Sequence, residues 1–222
     1  MSTSFFNPAS ATSANQKFRE KRFKFFLSQL DRISNGQPIR ILDVGGTELF
    51  WERMNFTNYP NVHVTLLNLE KESVRYPNFT SIEGDACNLA SIKDKEFDIV
   101  FSNSVIEHLF SFENQKKMAD EVMRTGKHYY IQTPNRYFPI EPHWMFPFFQ
   151  FLPFGVQVFL TRHFKMGHYE KITDKEKAVQ QVKEVQLLSK KQMQQLFPTG
   201  KAYLEKFLGL NKSITMYYFP DK

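Results

Sequence analysis

Between Lys17 and Ile33, Phe18, Phe23, Phe26, Leu27, Leu30 and Ile33 recur at helical spacing. Lys17, Arg19, Lys21, Arg22, Lys24 and Arg32 occupy much of the rest, so the pattern predicts a basic amphipathic helix, ended by Gly36 and Pro38. The pattern then shortens into apolar runs. Ile39–Val44, Val62–Leu69, Phe79–Glu83, Phe97–Ser102 and Lys127–Gln132 each read as a strand, and polar segments separate most of them. A helix over Phe112–Arg124, opened near Ser111, falls between the fourth strand and the fifth. Strands alternating with helices predict a doubly wound, mostly parallel α/β sheet.

Further on the pattern changes. Thr173 with Glu176, and Ser189 with Gln192, have the spacing of capping boxes that open two helices, the second stopped by Phe197-Pro198. Lys201–Leu208 and Ser213–Phe219 then read as two strands close enough to pair antiparallel. The expected fold class is therefore α/β: a Rossmann-like sheet finished by an antiparallel C-terminal hairpin, with an aromatic lid inserted after the fifth strand. Residues 1–16, polar and rich in Ser, Ala and Asn, are expected to be a loose tail. Residues 17–222 are expected to form one domain, with the helix over 17–34 and a lid or substrate-recognition insertion over 134–188.

The 222 residues are 41% hydrophobic, enough for one sizeable core. Cys87, the single cysteine, excludes an internal disulfide framework and a thiolate metal cluster, and favours a reducing, cytoplasmic setting. A net charge of +6 biases the chain towards anionic partners without choosing among small molecules, membrane surfaces and nucleic acid. The apolar stretch Trp144–Leu160 contains Pro147, Pro153 and Gly155 and falls short of a membrane span. No secretory pattern opens the chain.

Candidate chemistry gathers at strand ends. Asp43-Val44-Gly45-Gly46-Thr47 closes the first strand, where open α/β sheets bind ligands and glycines let a ligand approach the backbone. Asn68 follows Gly45 by 23 residues, near where nucleotide-binding folds place a ribose-reading side chain. Asp85 after the third strand and Ser102-Asn103-Ser104 after the fourth extend the polar line into a crevice.

These segments, in this order, resemble the class I S-adenosylmethionine-dependent methyltransferases, in particular the bacterial small-molecule, type 11-like branch. ILDVGG is similar to that family's first motif, LLNLE to its ribose segment, EGDACNL to its adenine segment, FDIVFSNSVIEHL to its fourth-strand motif, and GLNKSITMYYF to its closing hairpin. The likeness covers roughly residues 38–219. It implies S-adenosylmethionine as cofactor, with Asp43, Gly45 and Gly46 at the methionine end and Thr47 adding a hydroxyl. It further implies Asn68 at the ribose, Asp85 and Ala86 at the adenine, and Asn103 and Ser104 on the sulfonium side. Two positions depart from the family pattern: the usual third glycine of the loop is absent, and the neutral Asn68 replaces the ribose carboxylate, with Glu70 the nearest acid.

Within the same family a quinone-methylating group binds a divalent metal through two glutamates and a histidine. The place of the first glutamate is Ser104 here, so no metal is expected. His108 is a candidate catalytic base or a histidine packed at a helix end. In the loop after the fifth strand, His143 and Glu141 are candidate acid–base groups and Arg136 a candidate anion holder, against the alternative of a rigid loop without chemistry. Phe146, Phe148, Phe149, Phe151, Phe154 and Phe159 either pack on the core or meet an apolar partner.

The expected function is methyl transfer from S-adenosylmethionine to an oxygen, nitrogen or carbon of a small hydrophobic or anionic acceptor. The alternatives are a cofactor-binding scaffold of the same fold that has lost catalysis, and a peripheral membrane module using the basic helix and the lid. Nothing in the pattern matches an RNA-binding motif, and the oligomeric state is left open.

Overall fold

The structure, a computed structural model, describes residues 13–59 and 61–221. Most of the expected N-terminal tail therefore lies outside the described residues.

Strands β1 (Ile39–Val44), β2 (Val62–Asn68), β3 (Phe79–Glu83), β4 (Phe97–Asn103) and β5 (Gly126–Pro134) run parallel. Strands β8 (Lys201–Phe207) and β9 (Leu210–Tyr218) complete a seven-stranded sheet in the order β3-β2-β1-β4-β5-β9-β8, with β9 antiparallel to both of its neighbours. Leu208 and Gly209, both at positive φ, make the tight turn of this hairpin. A separate hairpin, β6 (Ile140–Glu141) and β7 (Phe146–Pro147), belongs to the insertion.

Alternation along the strands sorts side chains onto two faces. Leu42, Val44, Val100 and Ile131 enter one core, which α3 (Phe112–Thr125) and α6 (Lys190–Leu196) cover. Ile41, Phe101 and Tyr130 enter the other, covered by α1 (Ser13–Ile33) and α2 (Glu48–Arg53). The second core is largely aromatic: Phe101 and Tyr130 stack at 5.4 Å, and Phe26 and Trp51 meet Phe101 at 5.1 Å each. The N-terminal helix starts at Ser13, before the expected Lys17. Its apolar face is spent on the sheet, since Phe23, Phe26 and Leu30 are buried there.

Ser111 caps α3 by accepting from Asn114 N, and Ser189 forms the full capping box of α6 with Gln192. At α5 (Lys175–Glu184) the cap is Asp174 rather than Thr173, because it is the aspartate carboxylate that accepts from Lys177 N. The connections β2–β3 and β3–β4 carry no helix. Glu48 organises the first of these by accepting from the backbone N–H groups of Arg75 and Tyr76, while Arg75 Nε reaches its second oxygen.

The insertion holds its own small core. Trp144 and Phe149 stack at 4.3 Å and pack against Val158 of α4 (Phe154–His163) and Ala178 and Val182 of α5. Phe148, Phe151, Phe154 and Phe159 stay exposed on its surface. No helix among the described residues is long and apolar enough to cross a membrane.

Candidate active site

Parallel register brings the C-terminal ends of β1 to β5 onto one rim, where Asn68 stands opposite Glu83 and Asn103 opposite Gln132. The chain leaves β1 through Gly45, at φ 74°, whose N–H donates to Leu67 O. A β-carbon at Gly45 would fall 2.6 Å from Val105 Cγ2, and one at Gly46 would fall 1.7 Å from Asp43 Oδ2. Both positions therefore need glycine: one turns under the segment after β4, the other passes across the Asp43 carboxylate.

Asp43 is buried on the aromatic side of β1. Its Oδ2 accepts from Trp51 Nε1 at 2.7 Å, while Oδ1 is buried without a hydrogen-bond partner. Burial pushes its carboxyl up to about 7, against the smaller lowering effect of the tryptophan N–H. Trp51 is a contributor that the sequence reading missed; a bulky residue eight positions beyond Asp43 carries no local signal that its ring N–H turns back.

The other predicted cofactor residues fall along the same rim in different states. Asn68 donates from Nδ2 to Gly46 O at 2.9 Å, so the amide in place of the family's carboxylate ties the loop to β2. Thr47 is the N-cap residue of α2 without a side-chain cap bond. Asp85 is exposed, and its Oδ1 accepts from Cys87 N in a tight turn, with Ala86 partly buried against the core beside it. Gly84 N donates to Asn68 O and so joins this turn to the end of β2. Asn103 ends β4, and Ser104, at φ 60°, turns its hydroxyl to Gln132 Oε1.

Beyond Ser104 a 3-10 turn, Ile106–His108, buries Glu107, whose Oε2 accepts from Thr133 Oγ1 at 2.9 Å. The fold brings His143 from the insertion to this turn. His108 Nε2 and His143 Nε2 lie 3.2 Å apart, with the rings nearly perpendicular. His143 Nδ1 meets Glu141 Oε1 at 2.6 Å, and His108 Nδ1 meets Glu184 Oε1 at 3.0 Å. Burial works against a charge on His143, but Glu141 and then Glu107 and Glu184 outweigh it, holding its pKa above the ordinary value. Tyr169 lies beside the same carboxylates; burial first, and then Glu184, Glu141 and Glu107, push its hydroxyl pKa up. Glu184, at the end of α5, was not foreseen, because 76 residues separate it from His108.

Next to this cluster the insertion holds a cavity of about 190 Å3. Arg136, Glu141, Phe149 and Phe154 are among its walls.

The sheet order and the glycine loop facing a polar rim define a Rossmann-like methyltransferase fold. Residues 42–128 match the family described as a methyltransferase domain. Two uncharacterized proteins of Mycobacterium tuberculosis are 38% identical over 58 residues, 26% of this chain and 20% of each relative. The aligned stretch thus spans about a fifth of the curated relatives' length. A SAM-dependent methyltransferase from Aquifex aeolicus superposes with a TM-score of 0.53 at 11% identity, over 96% of this chain and 97% of that one. A Pyrococcus horikoshii protein gives 0.54 at 18% identity, over 95% and 93% of the two chains. At such identities the structural likeness is one of fold.

Proposed function

We propose that the chain binds S-adenosylmethionine along the β1–β4 rim and directs its methyl group to an oxygen, nitrogen or carbon of a small acceptor. The observation that carries this reading is Asp43: a buried carboxylate with one oxygen held by Trp51 and the other unpartnered, beside a loop that tolerates no β-carbon. Such an oxygen suits the ammonium of the cofactor's methionine end.

The other rim residues follow the rim in order. Asn68 holds the loop through its amide and keeps a carbonyl oxygen for a ribose hydroxyl, and Asp85 and Ala86 border the adenine. Asn103 and Ser104 line the reacting side. When bound, the cofactor supplies a methyl group already activated by its sulfonium, so the protein's work is alignment and the exclusion of water.

The cavity of the insertion supports a small acceptor with anionic and apolar parts, since Arg136 and phenylalanines share its walls with Glu141. His108 and His143 form a hydrogen-bonded pair rather than two independent bases.

A second reading has its own observation. The exposed phenylalanines of the insertion favour contact with a membrane surface or a lipid-like acceptor. The apolar face of α1 does not contribute to this, being buried in the sheet.

The test is saturable thermal stabilisation by S-adenosylmethionine, followed by S-adenosylhomocysteine release with a panel of small hydrophobic and anionic acceptors. At 100 times Kd the cofactor should stabilise the chain by about 2.7 kcal/mol. Stabilisation without turnover on any acceptor would favour the scaffold alternative, and no stabilisation would remove the reading.

A further inference from the structure

The cofactor-binding reading leaves the coupled histidines unused. Each ring is gripped through Nδ1 by its own buried carboxylate, Glu141 for His143 and Glu184 for His108, and the two Nε2 atoms converge. Holding imidazoles by a carboxylate on the far nitrogen is how proteins fix the tautomer and aim of histidines that ligate metal. Two histidine nitrogens on one tetrahedral ion, each about 2.0–2.1 Å from it, lie about 3.3 Å apart. The observed separation is 3.2 Å.

A third donor stands beside them. Glu107 is fully buried, its Oε2 accepts from Thr133, and its Oε1 is buried without a hydrogen-bond partner. One ligand atom each from Glu107, His108 and His143 lies within 4.8 Å of the others. Charge argues the same way. Glu107, Glu141 and Glu184 are 0%, 1% and 6% exposed, so three carboxylates crowd two imidazoles in one buried cluster, an acidic excess that a bound cation would offset.

The geometry points to a divalent transition-metal site formed by Glu107, His108 and His143, with Glu141 and Glu184 orienting the two imidazoles. Two nitrogens and one oxygen suit zinc and its neighbours, whereas magnesium and calcium prefer all-oxygen shells. The expectation of no metal rested on Ser104 in place of a glutamate close in sequence; the third donor comes instead from the insertion, 35 residues beyond His108. Three protein ligands leave a fourth position open, as in catalytic rather than structural sites. That this position holds the acceptor's oxygen rests on the methyl-transfer reading; metal binding itself does not.

The test strips the purified full chain with a chelator and titrates it with Co2+, then with Zn2+ in competition. The expected result is one Co2+ per chain, with the intense visible bands of a four-coordinate ion and displacement by Zn2+. His108→Gln and His143→Gln should lower affinity at least 100-fold, and Glu141→Gln by about 10-fold to 100-fold. Asp43→Asn, at the cofactor loop, should keep full metal affinity, so a failure of the cofactor reading stays distinguishable from a failure of this one. The unmodified chain decides even where a histidine variant misfolds: no stoichiometric Co2+, or only the weak bands of a six-coordinate ion, overturns the proposal. Metal affinity unchanged in a folded His143→Gln variant overturns it as well.

Discussion

The glycine-loop rim and the insertion are built on opposite plans. At the rim each functional side chain leaves the end of a strand, and parallel register lines up residues near one another in position along β1 to β4. In the insertion a short hairpin, a 3-10 turn of its own at Phe149–Phe151 and two helices form a separate small core, and its histidine meets His108, on the turn after β4, through one pair of ring nitrogens. The sheet edge can hold a common cofactor with little variation, while a semi-independent insertion can change the acceptor without disturbing the strands.

The largest effect that would sharpen this contrast is expected at Gly46. Gly46→Ala puts a β-carbon onto the Asp43 carboxylate, which has no room to retreat from Trp51. Titration with S-adenosylmethionine should show a loss of affinity of 100-fold or more, and an unchanged Kd would mean that the cofactor does not pass over this loop. Trp144→Ala attacks the other region. Removing this buried ring should cost the insertion about 3–5 kcal/mol, seen as faster amide exchange over residues 140–185, while cofactor affinity stays within about twofold. A parallel loss of cofactor affinity would break the separation of the two regions.

Asp43 gives a pH signature next in size. Its pKa is raised in the folded state, so its contribution to stability is full below the ordinary carboxylate value near pH 4 and is lost as pH rises through about 7. The loss is on the order of 4 kcal/mol at most. Denaturation of the cofactor-free chain from pH 4 to 8 should show it, and Asp43→Asn, which still accepts from Trp51, should flatten the curve. An identical pH dependence in the variant would place the titrating group elsewhere.

The smallest effect on stability is expected at the exposed phenylalanines. Phe154→Ser with Phe159→Ser should change it by no more than about 0.5 kcal/mol per site. If the insertion docks on lipid, the same pair should abolish sedimentation with anionic vesicles. Equal sedimentation of both forms would confine any lipid contact to other surfaces.

What was legible in the sequence follows the same division. Ile39–Val44 and Phe79–Glu83 have the boundaries their apolar runs predict, and the Ser189 capping box is where cap chemistry puts it; the closing hairpin pairs antiparallel as expected, but its turn is Leu208-Gly209 and its second strand begins at Leu210 rather than Ser213. These features are local, decided by residues within a few positions of one another. Helix α2 escaped notice because its six residues give too short a periodicity, and with it went the return of Trp51 to Asp43. The pairing of His108 with Glu184 and His143 escaped for a different reason. Nothing within one strand or helix says which distant loop will cross it, so the sequence could not show that His143 and Glu184 would come to lie against His108. The aromatic run 146–159 was ambiguous in a third way: its composition does not say which rings turn inward, and the fold buries Phe149 while leaving Phe148 and Phe151 exposed.

The central claim is that the β1–β4 rim holds S-adenosylmethionine, and isothermal titration of the purified chain tests it most directly. Separate titrations with S-adenosylmethionine and S-adenosylhomocysteine, with ATP and NAD as controls, should give one site of micromolar affinity for the first two and none for the controls. The same titration of Asp43→Asn should lose that site. No heat with either sulfur compound, or equal binding of ATP or NAD, would contradict the account.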